Sequence, residues 1–325
     1  MIVCTEAQIR AHVQQNLQIM KAVETGFSRL FAGEVSMPPI MRIDFPEQHG
    51  EIDIKSAYIH GVEQFAVKMS TGFFKNSQLG LPSGNGMMLL FSAETGMPLA
   101  VLLDNGYLTH LRTAAAGAVA ADLLANEAVE AVGMIGTGAQ SRYQLEALQL
   151  VRRFSKLFVH GRNAANVCRF AEDVRGFYEG EVIVCGTAEE VVQKSSLVIT
   201  TTSAESPLVQ AEWLHPGLHI TAVGADAPHK NELDPAIFKK ADRIVCDSES
   251  QCRSLGELHH ADKANALDRR TPIEELGAII SGVSPARKEL DTITVCDLTG
   301  TGVQDTMIAA YAYQLLVENG AGTTY

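Results

Sequence analysis

The stretch from Val129 to Leu150, VEAVGMIGTGAQSRYQLEALQL, constrains the fold more than any other part of the chain. An apolar run ending at Ile135 meets Gly136-Thr137-Gly138-Ala139-Gln140-Ser141, and a helical pattern follows at once. Strand, glycine turn and helix in that order open a dinucleotide-binding βαβ unit. Gly136 makes the tight turn, Gly138 lets backbone approach a pyrophosphate, and the free N–H groups of the new helix receive its charge. The third glycine of the usual fingerprint is Ser141 here, so the motif alone also fits an ordinary turn.

The sequence beyond the turn supports the first reading. Strands are expected at Lys156 to His160, Val182 to Cys185, Leu197 to Thr202, His219 to Val223, Arg243 to Asp247 and Ile293 to Cys296. Helices are expected between them, at Ala164 to Val174, Pro235 to Ala241 and Ile273 to Ile280. This alternation predicts an α/β class, with a Rossmann-type doubly wound parallel sheet over residues 113–305. The first third is different. Ile19, Val23, Phe27, Leu30 and Phe31 recur at helical spacing and are closed by Gly33. Short strand-like runs follow at Ile40 to Phe45, Gly50 to Tyr58, Gln64 to Ser70, Gly86 to Ser92 and Leu99 to Asn105. Turns such as Glu94-Thr95-Gly96 separate them, so a mainly antiparallel α+β domain is predicted over residues 1–112. A long helix rich in small residues runs from Thr109, and the last helix, Met307 to Val317, returns residues 306–325 to the first domain.

Charge and composition exclude several functions. A net charge of −12 argues against nucleic acid or an anionic membrane as partner, because both require a basic face. The opening MIVCTEAQIR has no basic segment ahead of an apolar one, so no secretory signal is read there. The Ala-rich run from Thr113 to Ala125 is flanked by Arg112 and contains Asp122, which is no membrane span. Six cysteines without CxxC spacing read as reduced thiols in a cytoplasmic protein. His259-His260 after Glu257 is not zinc-ligand spacing, so no metal is expected.

A few charged residues sit where patterning gives them little reason to be. Arg42 and Lys68 each lie in an otherwise apolar strand, though alternation also allows either to face solvent. Arg112 falls in the first turn of a helix capped by Thr109, where the macrodipole disfavours a cation unless an anion is bound. Together these cations suggest a pocket for a carboxylate substrate. Asp226 ends the strand HITAVGADAPHK, at the carboxyl edge where parallel sheets keep their chemistry; a turn carboxylate is the plainer alternative.

The blocks MPPIMRIDF (Met37 to Phe45), FAVKMSTGFFKNSQLGLPS (Phe65 to Ser83), LRTAAAGAVAA (Leu111 to Ala121), GTGAQ and AVGADAPHKNELD (Ala222 to Asp234) occur in order, with TGTGVQD (Thr299 to Asp305) near the end. In these blocks the chain resembles the ornithine cyclodeaminase/mu-crystallin family over nearly its whole length. Within that family, GEIDIKSAY, GFF and LLDNGYLT look most like the cyclodeaminase-like branch of ectoine utilisation. The resemblance implies that Arg42, Lys68 and Arg112 hold the substrate carboxylate and that Asp226 is the acid–base group. Asp53 aligns with a glutamate facing a distal amine and is one methylene shorter, while Lys55 replaces a methionine; both departures weigh against ornithine itself. The substrate-binding set is therefore Arg42, Asp53, Lys68, Arg112 and Thr299, with Asp226 and Lys68 catalytic. The cofactor set is Ser83, Arg112, Thr113, Gly136, Gly138, Ala139, Gln140, Arg162, Thr202, Val223 and Lys230. The resemblance further implies a homodimer that pairs the sheets of the substrate domains.

The expected reaction is NAD(P)H-dependent reduction of a small imino acid, a cyclic ketimine or iminium beside a carboxylate. The cations orient the carboxylate, and Asp226 handles the proton at nitrogen, for which burial would have to raise its pKa. Redox-neutral cyclodeamination of a diamino acid, amino-acid dehydrogenation and non-catalytic ligand binding remain as alternatives. For the cofactor, the second Rossmann strand ends His160-Gly161-Arg162-Asn163, without the carboxylate that usually takes the ribose hydroxyls of NAD. Arg162 could instead pair with a 2′-phosphate, which favours NADP over NAD, although a solvated arginine would look the same. Michaelis constants for the two reduced cofactors test this: NADPH is expected to give the lower value, and a clear NADH preference would overturn it.

Overall fold

The computed structural model describes residues 1–268 and 270–325. The chain forms two compact units, Met1–Arg112 with Thr301–Tyr325, and Thr113–Gly300.

The first unit is built on β1 (Ile2–Thr5), β2 (Val35–Ser36), β3 (Met41–Phe45), β4 (Gly50–Ile59), β5 (Gln64–Phe73), β6 (Gly84–Ser92) and β7 (Pro98–Leu103). The strand order is β1-β7-β6-β5-β4-β2, with β3 also on β4 and the final strand Thr323–Thr324 beside β1. Every pairing is antiparallel except β1 with β7. Alternation divides the faces of this sheet. On β4, Glu51, Asp53, Lys55, Ala57 and Ile59 are buried, whereas Ile52, Ile54, Ser56 and Tyr58 are more open. The inner face is covered by the C-terminal helix, Gly302–Glu318, which packs on β4, β5 and α1 (Leu17–Phe31). Gly302 permits the approach, since a Cβ there would lie 2.5 Å from the Ser56 carbonyl oxygen. This helix begins five residues before the expected Met307, which moves Gln304 and Asp305 from a loop into its first turns.

The helix α2 (Tyr107–Leu124) begins two residues ahead of the expected Thr109. Asp104 caps it instead, its Oδ2 accepting from Leu108 N at 2.7 Å, and Asn105 and Gly106 make the turn at φ of 51° and 85°. Arg112 therefore lies in the second turn, where the dipole conflict inferred from sequence does not arise.

The second unit carries β8 (Ala131–Ile135), β9 (Lys156–His160), β10 (Glu181–Val184), β11 (Leu197–Thr200), β12 (His219–Ala222), β13 (Arg243–Cys246), β14 (Ile273–Glu275) and β15 (Thr294–Asp297). All run parallel in the order β10-β9-β8-β11-β12-β15-β13-β14. The first strand, β8, is central, and connections leave it in opposite directions, so the switch point lies at the carboxyl ends of β8 and β11. The Rossmann-type sheet and the separate, mainly antiparallel sheet are thus both present. Helix α3 (Ala139–Leu148) follows the glycine turn, and α4 (Ala164–Val174) follows β9. One expectation is corrected: Ile273 to Ile280 is not one helix but β14 followed by the short helix Leu276–Ile280. Pairing with β13 draws the first three residues into the sheet edge.

The cap at Asp104 is separable from the rest of the fold. Asp104→Ala is expected to cost about 1–2 kcal/mol in urea unfolding, while Asp104→Asn keeps an acceptor for Leu108 N and most of that stability.

Candidate active site

Cations gather on the inner face of the first sheet. Arg42 pairs with Asp53 across β3 and β4, and Lys55 pairs with Lys68 across β4 and β5, so all four side chains share one face. Lys68 is 2% exposed and its Nζ lies 3.2 Å from Asp305 Oδ2. Arg112, 5% exposed, reaches the same carboxylate from α2, with Nε 2.8 Å from Oδ1, and its Nη1 donates to Gln304 Oε1 at 2.9 Å. Burial drives the Lys68 pKa down to about 7; Asp305 opposes that shift, and Arg112 and Lys55 add to it. Burial alone would push the Asp305 carboxyl up, but Arg112, Lys68 and Lys55 together hold it below the usual carboxylate value. Asp104 lies on the rim of the same field, raised to about 6 chiefly by burial.

Arg42 is engaged differently. It donates from Nε to Asp44 at 2.8 Å, from Nη1 to Asp53 at 3.3 Å, and from Nη2 to Glu51. Burial works against its charge, yet Asp53, Asp44 and Glu51 outweigh it and leave the guanidinium more firmly protonated than usual. The structure therefore brings Lys68 and Arg112 together on Asp305, and places Arg42 and Asp53 in a carboxylate-rich group farther along the same face. Ser83 lies in the hairpin before β6, where its carbonyl accepts from Phe73 N at 2.7 Å.

In the second unit the glycine turn has the features a pyrophosphate needs. Gly136 adopts φ 111°, and a Cβ there would meet Thr201 Oγ1 at 2.7 Å. Gly138 is exposed, and nothing lies within 4 Å of where its Cβ would point. It is the N-cap of α3 and offers no side-chain cap, so the first N–H groups beyond it, at Ala139 and Gln140, suit an anion. Thr113 is tied to α3 through its carbonyl, which accepts from Gln144 Nε2 at 3.0 Å. Beyond β9, Arg162 is exposed and Asn163 caps α4, so no carboxylate stands at that strand tip. The donors at Ala139 and Gln140 and the bare backbone of Gly136 and Gly138 suit the pyrophosphate of a nicotinamide dinucleotide, while Thr202 and Val223 stand just beyond β11 and β12.

Asp226 follows β12 in a segment fastened by buried carboxylates. Glu232, fully buried, accepts from Thr200 Oγ1 at 2.7 Å, Thr202 N at 2.6 Å, Thr202 Oγ1 at 2.8 Å and Gly224 N at 2.7 Å. Burial raises its pKa, and these donors act against the rise. Glu257 in turn accepts from Asn231 Nδ2, Glu232 N and Leu233 N, which holds Glu232 in place. Asp226 itself remains open, with a side chain 39% exposed that accepts from Lys230 Nζ at 2.7 Å. The burial invoked from sequence to raise its pKa is thus replaced by an ion pair. Thr299 is buried, and its hydroxyl meets Asp247 at 3.1 Å and Gln251 at 2.8 Å. The rings of His259 and His260 face backbone carbonyls, of Arg253 and Lys230.

Sequence reasoning missed Asp305, Gln304, Glu232 and Glu257. The signal for the first pair was available: a Gln-Asp step inside an otherwise small and apolar helical run, Gly302 to Ala312. A buried carboxylate in a loop, as Glu232, or at the first residue of a short helix, as Glu257, carries no periodicity, so neither left a signal.

A parallel sheet of order 3-2-1-4-5 with a glycine turn at its switch point defines a nicotinamide dinucleotide-binding protein with a second, antiparallel unit. The chain belongs to the ornithine cyclodeaminase/mu-crystallin family, whose pattern matches residues 1–320. It is 45% identical over 326 residues to an uncharacterised cyclodeaminase of Sinorhizobium fredii, covering 100% of this chain and 98% of the relative. Among solved structures it resembles Δ1-pyrroline-2-carboxylate reductase of Thermococcus litoralis in complex with NADH and L-proline, with a TM-score of 0.95, 30% identity and 100% of each chain covered. It also resembles an archaeal alanine dehydrogenase dimer with bound NAD, with a TM-score of 0.91, 32% identity, and 99% and 98% of the two chains covered.

Glu232 tests the fastening of the Asp226 segment. Glu232→Ala leaves two half-buried backbone donors, at Thr202 and Gly224, and the buried Thr200 hydroxyl without their acceptor, and is expected to cost about 2 kcal/mol in denaturant unfolding.

Proposed function

We propose that the protein is an NAD(P)H-dependent reductase of a small imino acid, a cyclic ketimine or iminium carrying a carboxylate beside the imine carbon. The observation that carries this is the cluster on the inner sheet face, where three cations, Lys55, Lys68 and Arg112, bear on one buried carboxylate, Asp305. Such a site has charge left to orient a second carboxylate, that of a substrate. When bound, the reduced nicotinamide supplies the hydride for the imine carbon. Lys68 and Arg112 hold the substrate carboxylate. Asp226 manages the proton at the imine nitrogen, its carboxylate exchanging with solvent and with the Lys230 ammonium. The likeness to the Thermococcus litoralis reductase over the full length of both chains supports the reading.

Cyclodeamination of a diamino acid is the second reading, favoured by one observation. Glu51 and Asp53 are buried on the same face as Lys68 and offer carboxylates to a distal amine, and the Sinorhizobium fredii relative bears that name. Arg42 already engages both carboxylates, which weakens it. The alanine dehydrogenase relative keeps oxidation of a simple amino acid as a third. The relatives described above lend no support to the ectoine-utilisation branch. Between cofactors, the strand tip at Arg162 favours NADPH, whereas NADH and NAD are the forms bound in the two solved relatives.

A homodimer formed through the outer face of the first sheet is part of the proposal. Met41, Ile43, Phe45, Tyr58, Met87 and Leu103 are exposed, with Met41 at 57%. Apolar side chains gathered on one sheet face mark a protein interface, and the archaeal relative is a dimer.

The test follows absorbance of NADPH and of NADH with cyclic imino acids, and with 2-oxo acids plus ammonia or methylamine. Consumption of reduced cofactor is expected, and Asp226→Asn is expected to lower kcat by about 10²-fold or more with the fold intact. Ammonia release from ornithine, lysine or diaminobutyrate with catalytic NAD⁺, and no net change in cofactor, would replace this reading with the cyclodeaminase.

A further inference from the structure

We propose that Asp305 is the positioning residue of the carboxylate site: it holds the Lys68 ammonium and the Arg112 guanidinium in register for one substrate carboxylate. The inference deepens the proposed function and rests on it.

The geometry carries it. Asp305 is fully buried in the first turns of the C-terminal helix, with one oxygen 3.2 Å from Lys68 Nζ and the other 2.8 Å from Arg112 Nε. One carboxylate thus braces a cation from β5 and a cation from α2. The neighbouring Gln304 adds a hold on Arg112, so two consecutive residues of one helix fix the guanidinium at Nε and Nη1. The guanidinium is planar, and fixing it at two nitrogens sets the direction in which its remaining donors point toward a second carboxylate. Gly302 sets the depth at which the helix can offer these residues, since any side chain there would strike Ser56.

The arrangement also sets when Lys68 is charged. The groups that bear on it are Lys55 from β4, Arg112 from α2, Asp104 from the turn before α2, and Asp305 from the C-terminal helix; on β6, Met88 stands opposite it. Lys55 and Arg112 favour loss of its proton, as burial does, and Asp305 opposes them. With Asp305 in place the ammonium persists to about pH 7 in the free protein. A bound substrate carboxylate acts in the same sense as Asp305 and extends that range. Substrate capture should therefore weaken as pH rises through neutrality, while turnover of the saturated enzyme holds to higher pH.

The experiment is the pH dependence of kcat/KM and of kcat with the best imino acid from the panel above, for the wild type, Asp305→Asn, Asp305→Glu and Lys68→Met. Wild type is expected to lose kcat/KM above about pH 7. Asp305→Asn should move that fall to lower pH by at least about one unit, and raise KM at pH 7 by about tenfold or more. Asp305→Glu should restore the position of the fall. A role confined to holding the fold would lower the melting temperature of Asp305→Asn and leave its pH limb in place, and that result overturns the inference. If Asp305→Asn does not fold, the double variant Lys68→Met with Asp305→Asn removes the Lys68 charge together with its partner and leaves Arg112 held by Gln304 alone. Its KM should exceed that of Lys68→Met by several-fold and show no fall near neutrality, whereas a KM equal to that of Lys68→Met would overturn the inference. Lys68→Met with an unchanged KM would remove the carboxylate-binding reading itself, an outcome distinct from an unshifted limb in Asp305→Asn.

Discussion

Burying a charge is the most expensive thing a protein core can do, and the first unit does it with several charges on one sheet face. Lys55, Lys68 and Arg112 are each about 95% buried or more, and Asp305 is wholly so. An ammonium or guanidinium withdrawn from water persists only where an opposite charge and good hydrogen bonds replace the lost solvent. Asp305 supplies that charge, and it can do so only because the last helix of the chain returns to a sheet made almost entirely from its first third. The small residue at Gly302, the early start of that helix and the run of inward side chains on β4 and β5 all serve this requirement. Cores built for stability alone replace such clusters with apolar side chains at little loss. Retention of this one is what the proposed carboxylate site explains.

The second unit meets a related problem with neutral donors. Parallel strands end in loops whose N–H groups the ladder no longer satisfies, and at the edge of β11 and β12 those loops must also stay open. Glu232 answers for Thr202 and Gly224, and Glu257 answers for residues 231–233. Both are buried carboxylates bound to neutral backbone, hydroxyl and amide donors rather than to cations. Their effect is a rigid frame from which Asp226 projects, partly in solvent, with Lys230 as its partner. On the neighbouring strand β8 the glycine turn works by omission, since the absence of side chains at Gly136 and Gly138 leaves backbone donors available to an anion.

Alternation explains why one sheet serves two purposes. On β3 and β4 the even and odd positions divide into a charged inner face and an apolar outer face, so Arg42 and Met41, adjacent in sequence, belong to different functions. Strand period and burial together decide which residue is chemistry and which is contact. The carboxylates around Arg42 make the far end of the inner face acidic, whereas the end around Lys68 is basic.

Much of this was legible in the residues. Strand β9 and helix α4 coincide with their expected bounds because their signals are local: a short apolar run, then Asn163 capping the helix by accepting from Asn166 N at 3.0 Å. The glycine turn, the parallel sheet and the antiparallel first domain are legible for the same reason, whereas the first-turn position read for Arg112 is not where the structure puts it. Other features depend on distant partners. Ile2–Thr5 is a strand because β7 and Thr323–Thr324 flank it, and Ile273–Glu275 because β13 does. Asp104 rather than Thr109 caps α2, and Asp305, 237 positions after Lys68, completes the buried charge cluster. Local spacing determines which segments become helix, strand and turn, because capping and periodicity act within a few residues. Which charges meet in the interior is decided only when the chain closes on itself, because desolvation and pairing depend on neighbours the sequence does not place side by side.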